Sequence, residues 1–313
     1  MPVFRRSHYD YTIAILCAIE FEMSAVRYML DEEHPRLPSF QGDPNMYQLG
    51  MLSGHNVVLA CLPGTQGKGA AAVAATNLER TFANIRWRFF VGIGGGVPGT
   101  PHNIRLGDVV VSMPDGIHGG VVQYDLGKST VDGFIRKGFL CAPPPDLRNA
   151  VTTLQSNHRA YGNRVNYFVS GMVRKWKRLA GYQRPKDRTE RNLGPRIHYG
   201  LIASGDSVIK NTAVRDEIRR REGDILCFEM EAAGLMTDLP ALVIRGIADY
   251  ANPKKNDLWQ YNAAAAAAAA CTKELLALLS PESVMLATPI NSRSRSYYNA
   301  YGQNLTRSNT AFY

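Results

Sequence analysis

"FEMEAAGL", residues 228–235, begins at the last residue of the apolar run "DILCF" (224–228) and stands just before "LPALVIRGIADY". Two glutamates, Glu229 and Glu231, therefore occupy the point where a buried strand gives way to an Ala-rich helical pattern. Working outward, similar apolar runs recur at 11–18, 55–62, 86–95, 107–114, 197–204, 224–230 and 241–249. Helix-period segments alternate with several of them: "FEMSAVRYMLDEE", "GKGAAAVAATNLERTF", "NTAVRDEIRRREG" and "MEAAGLMTD". Strands apolar on both faces, separated by helices, predict a sheet covered on both sides. The reading is one α/β domain over 11–280, preceded by a polar lead-in at 1–10.

Composition sets the boundaries of that reading. The chain has 313 residues, 45% of them hydrophobic, which suits a globular domain. Acids at Asp10, Glu20 and Glu22 break up the opening segment, so no signal peptide is expected. The most apolar candidate span, around 263–279, contains Thr272, Lys273 and Glu274, and no membrane crossing is expected. Its "AAAAAAAA" at 263–270 predicts a helix lying close on the sheet. Residues 281–313, rich in Ser, Arg, Asn and Tyr without any period, are expected to be disordered. Five cysteines stand singly with no C-x-x-C spacing, which fits free thiols in the cytoplasm. The histidines show no metal-ligand spacing, so neither a metal nor a cofactor is expected.

The net charge is +9, and it is concentrated. Eleven Lys and Arg fall within 159–196 against Asp187 and Glu190. That basic insert reads as a short helix at about 164–178 followed by a polar loop. A solvated basic face explains each cation singly; with Tyr161, Tyr167, Trp176 and Tyr182 interleaved, the group could also hold RNA or a polyphosphate. The partner expected overall is a small molecule, with nucleic acid not favoured.

In wound α/β sheets, ligands bind beyond the carboxyl ends of the strands. Three of those ends here carry acids: "AIEFE" with Glu20 and Glu22, "FEMEA" with Glu229 and Glu231, and "IADYAN" with Asp249. A fourth, "GIGGGVPG", carries glycines. Pro98 stands where a phosphate-binding helix would begin, which weakens a dinucleotide reading. Gly94, Gly95 and Gly96 are instead expected to let a base or sugar lie against bare backbone. Glu229 has a plain alternative as a helix N-terminal residue favoured by the dipole. Ser204 and Asp206 in "ASGDS" read equally well as turn residues or as walls of a base pocket.

"GLIASGDSVIKN" (200–211), "CFEMEAAGL" (227–235) and "LVIRGIADYAN" (242–252), together with "VGIGGG" and "IRLGDVVVS", resemble the nucleoside phosphorylase superfamily. The pattern is similar above all to the methylthioadenosine and S-adenosylhomocysteine nucleosidase branch, over about residues 11–280. "GGVVQYDLGK" and "IHYGLIASG" more particularly resemble fungal members found beside NACHT or ankyrin-repeat modules, although no such module is expected in these residues. The resemblance implies a single three-layer α/β/α domain with a central mixed, partly barrel-like sheet.

It also implies roles. Cleaving an N-glycosidic bond builds positive charge on the sugar, and carboxylates suit that chemistry. Glu231 matches the residue that grips the ribose hydroxyls, Asp249 the acid that protonates the purine, and Met230 the residue beneath the sugar. Glu229 is left a positioning role, on the expectation that the strand turns it away from Glu231. Val208 and Ile209 match base contacts, with plain core equally good for Val208. Family phosphorylases carry Gly-Asp-Pro-x-Arg after the first strand; "AIEFE" puts Glu22 in place of that arginine and favours water over phosphate as nucleophile. Arg27, one helical turn later, leaves phosphorolysis open.

Ile19 and Trp259 are expected at the 5′ end of the ribose. Arg105, Lys128, Arg136, Lys137 and the basic insert are candidates to hold phosphates. The expected activity is an ATP nucleosidase, with a purine nucleoside phosphorylase or a non-catalytic nucleotide sensor as alternatives. A homo-oligomer, dimer or hexamer, is implied, with "DGIHGGVVQYDLGK" (115–128) as the contact, and a defence role by depletion of nucleotide.

Overall fold

The computed structural model describes residues 6–99, 101–183, 194–254 and 256–287. In chain order the elements are β1 (Ile13–Cys17), α1 (Glu20–Tyr28), β2 (Glu32–His34), β3 (Tyr47–Leu52), β4 (His55–Cys61), α2 (Lys68–Thr81), β5 (Trp87–Gly96), β6 (Val109–Ser112) and β7 (Val121–Gln123). There follow β8 (Gly127–Thr130), β9 (Gly133–Arg136), α3 (Pro145–Tyr161), α4 (Val165–Lys175), β10 (Ile197–Ser204), α5 (Thr212–Glu222), β11 (Ile225–Glu229), β12 (Leu242–Asp249), α6 (Leu258–Leu276) and α7 (Pro281–Leu286).

Five strands close on themselves. β5 runs parallel to β12, β12 antiparallel to β6, β6 parallel to β10 and β10 parallel to β11, and β11 returns antiparallel to β5 through Cys227–Gly96 and Phe228–Gly95. An open wing leaves the ring at β5, in the order β1, β4, β3, β2. The mixed, partly barrel-like sheet implied by the resemblance is thus present. β8 and β9 form a separate hairpin.

Apolar residues on both strand faces give two main cores. Ile13 and Ile15 of β1 pack with Val26 of α1, Leu154 of α3, Val169 of α4 and the buried alanines of α6. Their neighbours Ala14 and Leu16 face Ala71, Ala74 and Leu78 of α2. The strand alternation therefore feeds helices on opposite sides of the sheet. All of Ala263–Ala270 is buried, and the Ala264 carbonyl lies where a side chain on Gly246 would have to go. Alanine on the helix and glycine on β12 let the two backbones approach.

Several expectations need correction. "MEAAGLMTD" gives only one 3-10 turn, Ala232–Gly234; the Glu229 carboxylate accepts from its first N–H, and the Lys68 carbonyl packs against Gly234. The basic insert does contain a helix, α4, but α3 was not foreseen. The expected unstructured tail begins instead with α7, started by Pro281 and capped by the Ser280 hydroxyl, which accepts from the Ser283 N–H. Residues 288–313 and 184–193 of the insert lie outside the described residues.

Candidate active site

Where β11 crosses β5, the ends of β1, β11 and β12 open on one cavity of about 320 Å³. Ile19, Glu22, Gly94, Gly95, Val208, Ile209, Glu229, Met230, Glu231 and Asp249 all line it. Residues separated by more than two hundred positions in the chain thus meet at one place.

Glu22 enters from the first turn of α1 and is 2% exposed. Its Oε2 accepts from the N–H of Ala18 at 2.8 Å and of Ile19 at 3.2 Å, and its Oε1 from the N–H of Ile93 at 2.8 Å. Burial pushes its carboxyl above the ordinary range, partly opposed by Arg245 and by those three amides. Glu20, beside it in sequence, is exposed.

Alternation does not turn Glu229 away from Glu231: two residues apart, they would share a strand face, β11 ends at Glu229, and both line the cavity, where their carboxylates find different partners. Glu229 Oε2 accepts from Arg245 Nη2 at 2.5 Å and from the Ala232 N–H at 3.0 Å, so it both neutralises a buried cation and caps the following turn. Glu231 keeps its carboxylate on the cavity, 3.7 Å from Arg245 Nη2. Its pKa is pushed up to about 7 by burial first and then by the neighbouring Glu229 charge; Arg245 and a backbone hydrogen bond from Gly67 act against the rise. Asp249, half-buried, is oriented by the Ala251 N–H donating to Oδ1 at 2.7 Å and Asn256 Nδ2 donating to Oδ2 at 3.2 Å.

The glycines have separate reasons. A side chain on Gly95 would sit 2.7 Å from Asp249 Oδ1, and one on Gly94 2.8 Å from the Phe228 carbonyl. Gly92, opposite Arg245 in register, leaves room for that guanidinium and for the Glu22 carboxylate together. Gly96 is not among the residues that line the cavity; a side chain there would meet Ile247 and Ile104.

Other expected residues also lie elsewhere. Arg105 is held by Asp108 at 3.0 Å and by the Gly194 carbonyl. Trp259 of α6 does not line the cavity; Tyr261, two residues further round the helix, does, against the edge of Phe21. Arg136 pairs with Glu222 at 2.9 Å, and Lys137 lines a different small cavity beside the hairpin, while Lys128 is exposed on β8. None of the described cations of the basic insert reaches this site; the exposed Lys210 does. Val208, 60% exposed, is wall rather than core.

Arg245 was missed by sequence reasoning. It is fully buried beneath Glu229, Glu231 and Glu22, with its guanidinium carbon 4.5 Å from the Phe90 ring centroid. A lone arginine in "LVIRGIAD" was its signal, since a charge inside an apolar strand needs a counter-charge within reach. A second cavity of about 730 Å³ adjoins the first through Gln66 and is lined by Met23, Met46, Leu62 and Val73. No Lys or Arg is among its described lining residues.

With this geometry in place, comparison with known proteins adds five findings. A family model described as the phosphorylase superfamily matches residues 12–279. A nucleotide-binding leucine-rich repeat (NLR)-like protein of Hyaloscypha variabilis is 41% identical over 303 residues, 88% of this chain but only 30% of its own length. A 5′-methylthioadenosine/S-adenosylhomocysteine nucleosidase of Mycobacterium tuberculosis is 28% identical, covering 77% of this chain and 86% of the relative. The ATP nucleosidase Cap17 of Escherichia coli is 24% identical, covering 82% and 49%. The chain thus spans less than half the length of two of these relatives. Among solved structures, the methylthioadenosine/S-adenosylhomocysteine nucleosidase of Neisseria meningitidis shares the fold, with a TM-score of 0.59, 24% identity and coverage of 86% and 99%.

Proposed function

The chain belongs to the phosphorylase superfamily, and from that membership and the cavity's geometry we propose that it cleaves the N-glycosidic bond of an adenine nucleoside or nucleotide with water as nucleophile. One observation carries the reading: Glu22, Glu231 and Asp249 face a single cavity, each held by backbone N–H groups in different surroundings. Departure of the base needs a proton donor, stabilisation of a cationic sugar and delivery of a nucleophile. Asp249, oriented by the Ala251 N–H and Asn256, protonates the base. Glu231 grips the ribose hydroxyls, and its charge opposes the positive charge growing on the sugar. Glu22, made more basic by burial, takes the proton from water. Glu229 positions the others through Arg245 and the amides it caps.

Water is favoured over phosphate on electrostatic grounds. The buried cation at this end, Arg245, already serves Glu229, and the remaining carboxylates repel a dianion.

We take ATP as the substrate to test first, on the similarity to the Escherichia coli ATP nucleosidase and on Lys210 at the cavity wall. A second reading has its own observation. The adjoining cation-poor cavity suits an apolar 5′ substituent, as in the substrates named for the Mycobacterium tuberculosis relative. A homo-oligomer and a defence role, the latter from the NLR-like relative, are proposals on the same footing. So is a cytoplasmic setting, which suits free Cys17, Cys61, Cys141, Cys227 and Cys271.

The test is chromatography of ATP, adenosine and methylthioadenosine after incubation with the purified protein, with and without inorganic phosphate, beside Asp249→Asn. Adenine released from ATP without phosphate, and not by the variant, is the expected result. Release from methylthioadenosine alone selects the second reading. Release that requires phosphate removes Glu22 from the mechanism, and no release from any substrate leaves a sensor.

A further inference from the structure

Many of the charges on this molecule are matched. Arg27 meets Glu33, Lys68 meets Asp125, Arg136 meets Glu222, Arg219 meets Asp224 and Arg245 meets Glu229. One region departs from this. From Leu147 to Lys186 the sequence contains neither Asp nor Glu, and nearly all of α3 and all of α4 fall inside that stretch. Arg159, Arg164, Arg174, Lys175, Lys177 and Arg178 are all exposed there. Among the described residues none of the six forms a direct ion pair with a carboxylate; the Lys175 charge acts on Glu33, but Glu33 and its neighbouring acids have closer partners. Glu32 is met by Arg6 at 3.7 Å, Glu33 by Arg27 at 2.8 Å and Asp31 by Lys273 at 2.5 Å.

Aromatic rings accompany this surplus charge. Tyr161 is 88%, Tyr167 60% and Trp176 43% exposed. The Arg164 guanidinium lies 5.0 Å from the Tyr167 ring centroid and 4.9 Å from that of Phe168, and Lys175 Nζ lies 5.6 Å from that of Trp176. Between α4 and the segment after α1 runs a groove of about 270 Å³ lined by Tyr28, Tyr167, Phe168, Arg174 and Lys175. A solvated helix face explains cations singly. It explains neither the lack of acids throughout 147–186 nor rings left in water between the cations.

We propose that the outer face of α4 and the turn after it form a second, non-catalytic site for single-stranded nucleic acid. Arg174, Lys175, Lys177 and Arg178 meet phosphates, and Tyr167 and Trp176 stack on bases. A single strand is selected over a duplex because stacked rings need unpaired bases, whereas a duplex offers only its backbone. Composition did not favour nucleic acid because a net charge cannot show which cations already have partners. None of these residues lines the catalytic cavity, so the inference does not depend on the proposed reaction.

The test is fluorescence anisotropy of labelled oligo(U) and oligo(dT) titrated with the full chain over a series of salt concentrations; the two probes separate RNA from DNA. Binding should weaken with salt at a slope of about −0.7 per phosphate contacted, so Arg174→Ala with Lys175→Ala should reduce the slope by about 1.4. Tyr167→Ala and Trp176→Ala should each weaken binding by roughly fivefold or more with the slope unchanged. Near-UV circular dichroism of each variant establishes that it is folded. Failure to bind either probe at low salt overturns the proposal. So does displacement by inorganic polyphosphate combined with ring variants that bind like the parent, since the face would then hold polyanions by charge alone.

Discussion

Glu231 shows at the scale of one residue how the site opposes stability. Its carboxyl titrates near pH 7 in the folded chain, against 4.5 for a free glutamate, because burial and Glu229 disfavour its charge. Between those two values the folded state holds a proton that the unfolded state has lost. Stability is therefore full below about pH 4.5 and falls as pH rises through 7, by on the order of 3 kcal/mol. Glu231→Gln removes the titrating group, and its melting temperature should match the parent near pH 4.5 and exceed it by several degrees at pH 8. In the same variant adenine release should fall at least a hundredfold, since an amide cannot oppose the sugar's charge. Thermal unfolding across the pH range reads the first effect, and equal melting at pH 8 would show that the carboxylate ionises there without penalty.

At the scale of the element, β5 carries the information that the site needs. Its "GIGGG" is the carboxyl end of the strand, as the apolar run before it predicts, and its glycines leave room for charged groups from other elements. Gly95→Ala places a methyl group 2.7 Å from Asp249 Oδ1 and 3.2 Å from the Ala251 side chain. The strand is otherwise well paired, so the expected cost in stability is modest, about 1–3 kcal/mol. Adenine release should fall by tenfold or more, as Asp249 loses its orientation; a rate within twofold of the parent would detach Asp249 from the chemistry.

Asp249, Glu231 and Glu22 were legible in two steps: apolar runs place acids at three strand ends, and the family resemblance singles these out from Glu20 and Glu229. Arg245 and Tyr261 were not. Whether Arg245 sits over three acids depends on β12 pairing with β5 at Gly92. Whether Trp259 or Tyr261 faces the cavity depends on the rotation of α6, which eight alanines leave without an amphipathic stripe. Likewise Arg105 looked free to bind phosphate until the fold brought Asp108 and the Gly194 carbonyl against it.

At the scale of the whole molecule, closure of the ring separates what must hold from what can open. β12 and β5 pair in register from Leu242–Phe89 to Ile247–Gly94 inside the ring, before a shift that brings Asp249 opposite Gly95, and Ile244 and Ile247 are fully buried. The β8–β9 hairpin has a four-residue backbone ladder of its own and is tied to α5 by side chains, Arg136 to Glu222 and Phe134 beneath Arg221, while Val131 at its turn and Ile117 and Phe139 beside it are left in water. For an isolated chain, amide exchange should be slowest in β1, β5 and β12, approaching the global unfolding free energy, and fast in 127–136. Exposed apolar residues on this arm are also what a second copy would cover, and they adjoin the 115–128 stretch proposed as a subunit contact. Exchange in 115–139 should therefore slow as protein concentration rises, while β12 stays unchanged. Protection of the hairpin that is the same at every concentration down to the monomeric range would remove this face from any assembly, because the contacts within one chain, its own ladder and the Arg136–Glu222 pair, would then account for all of it.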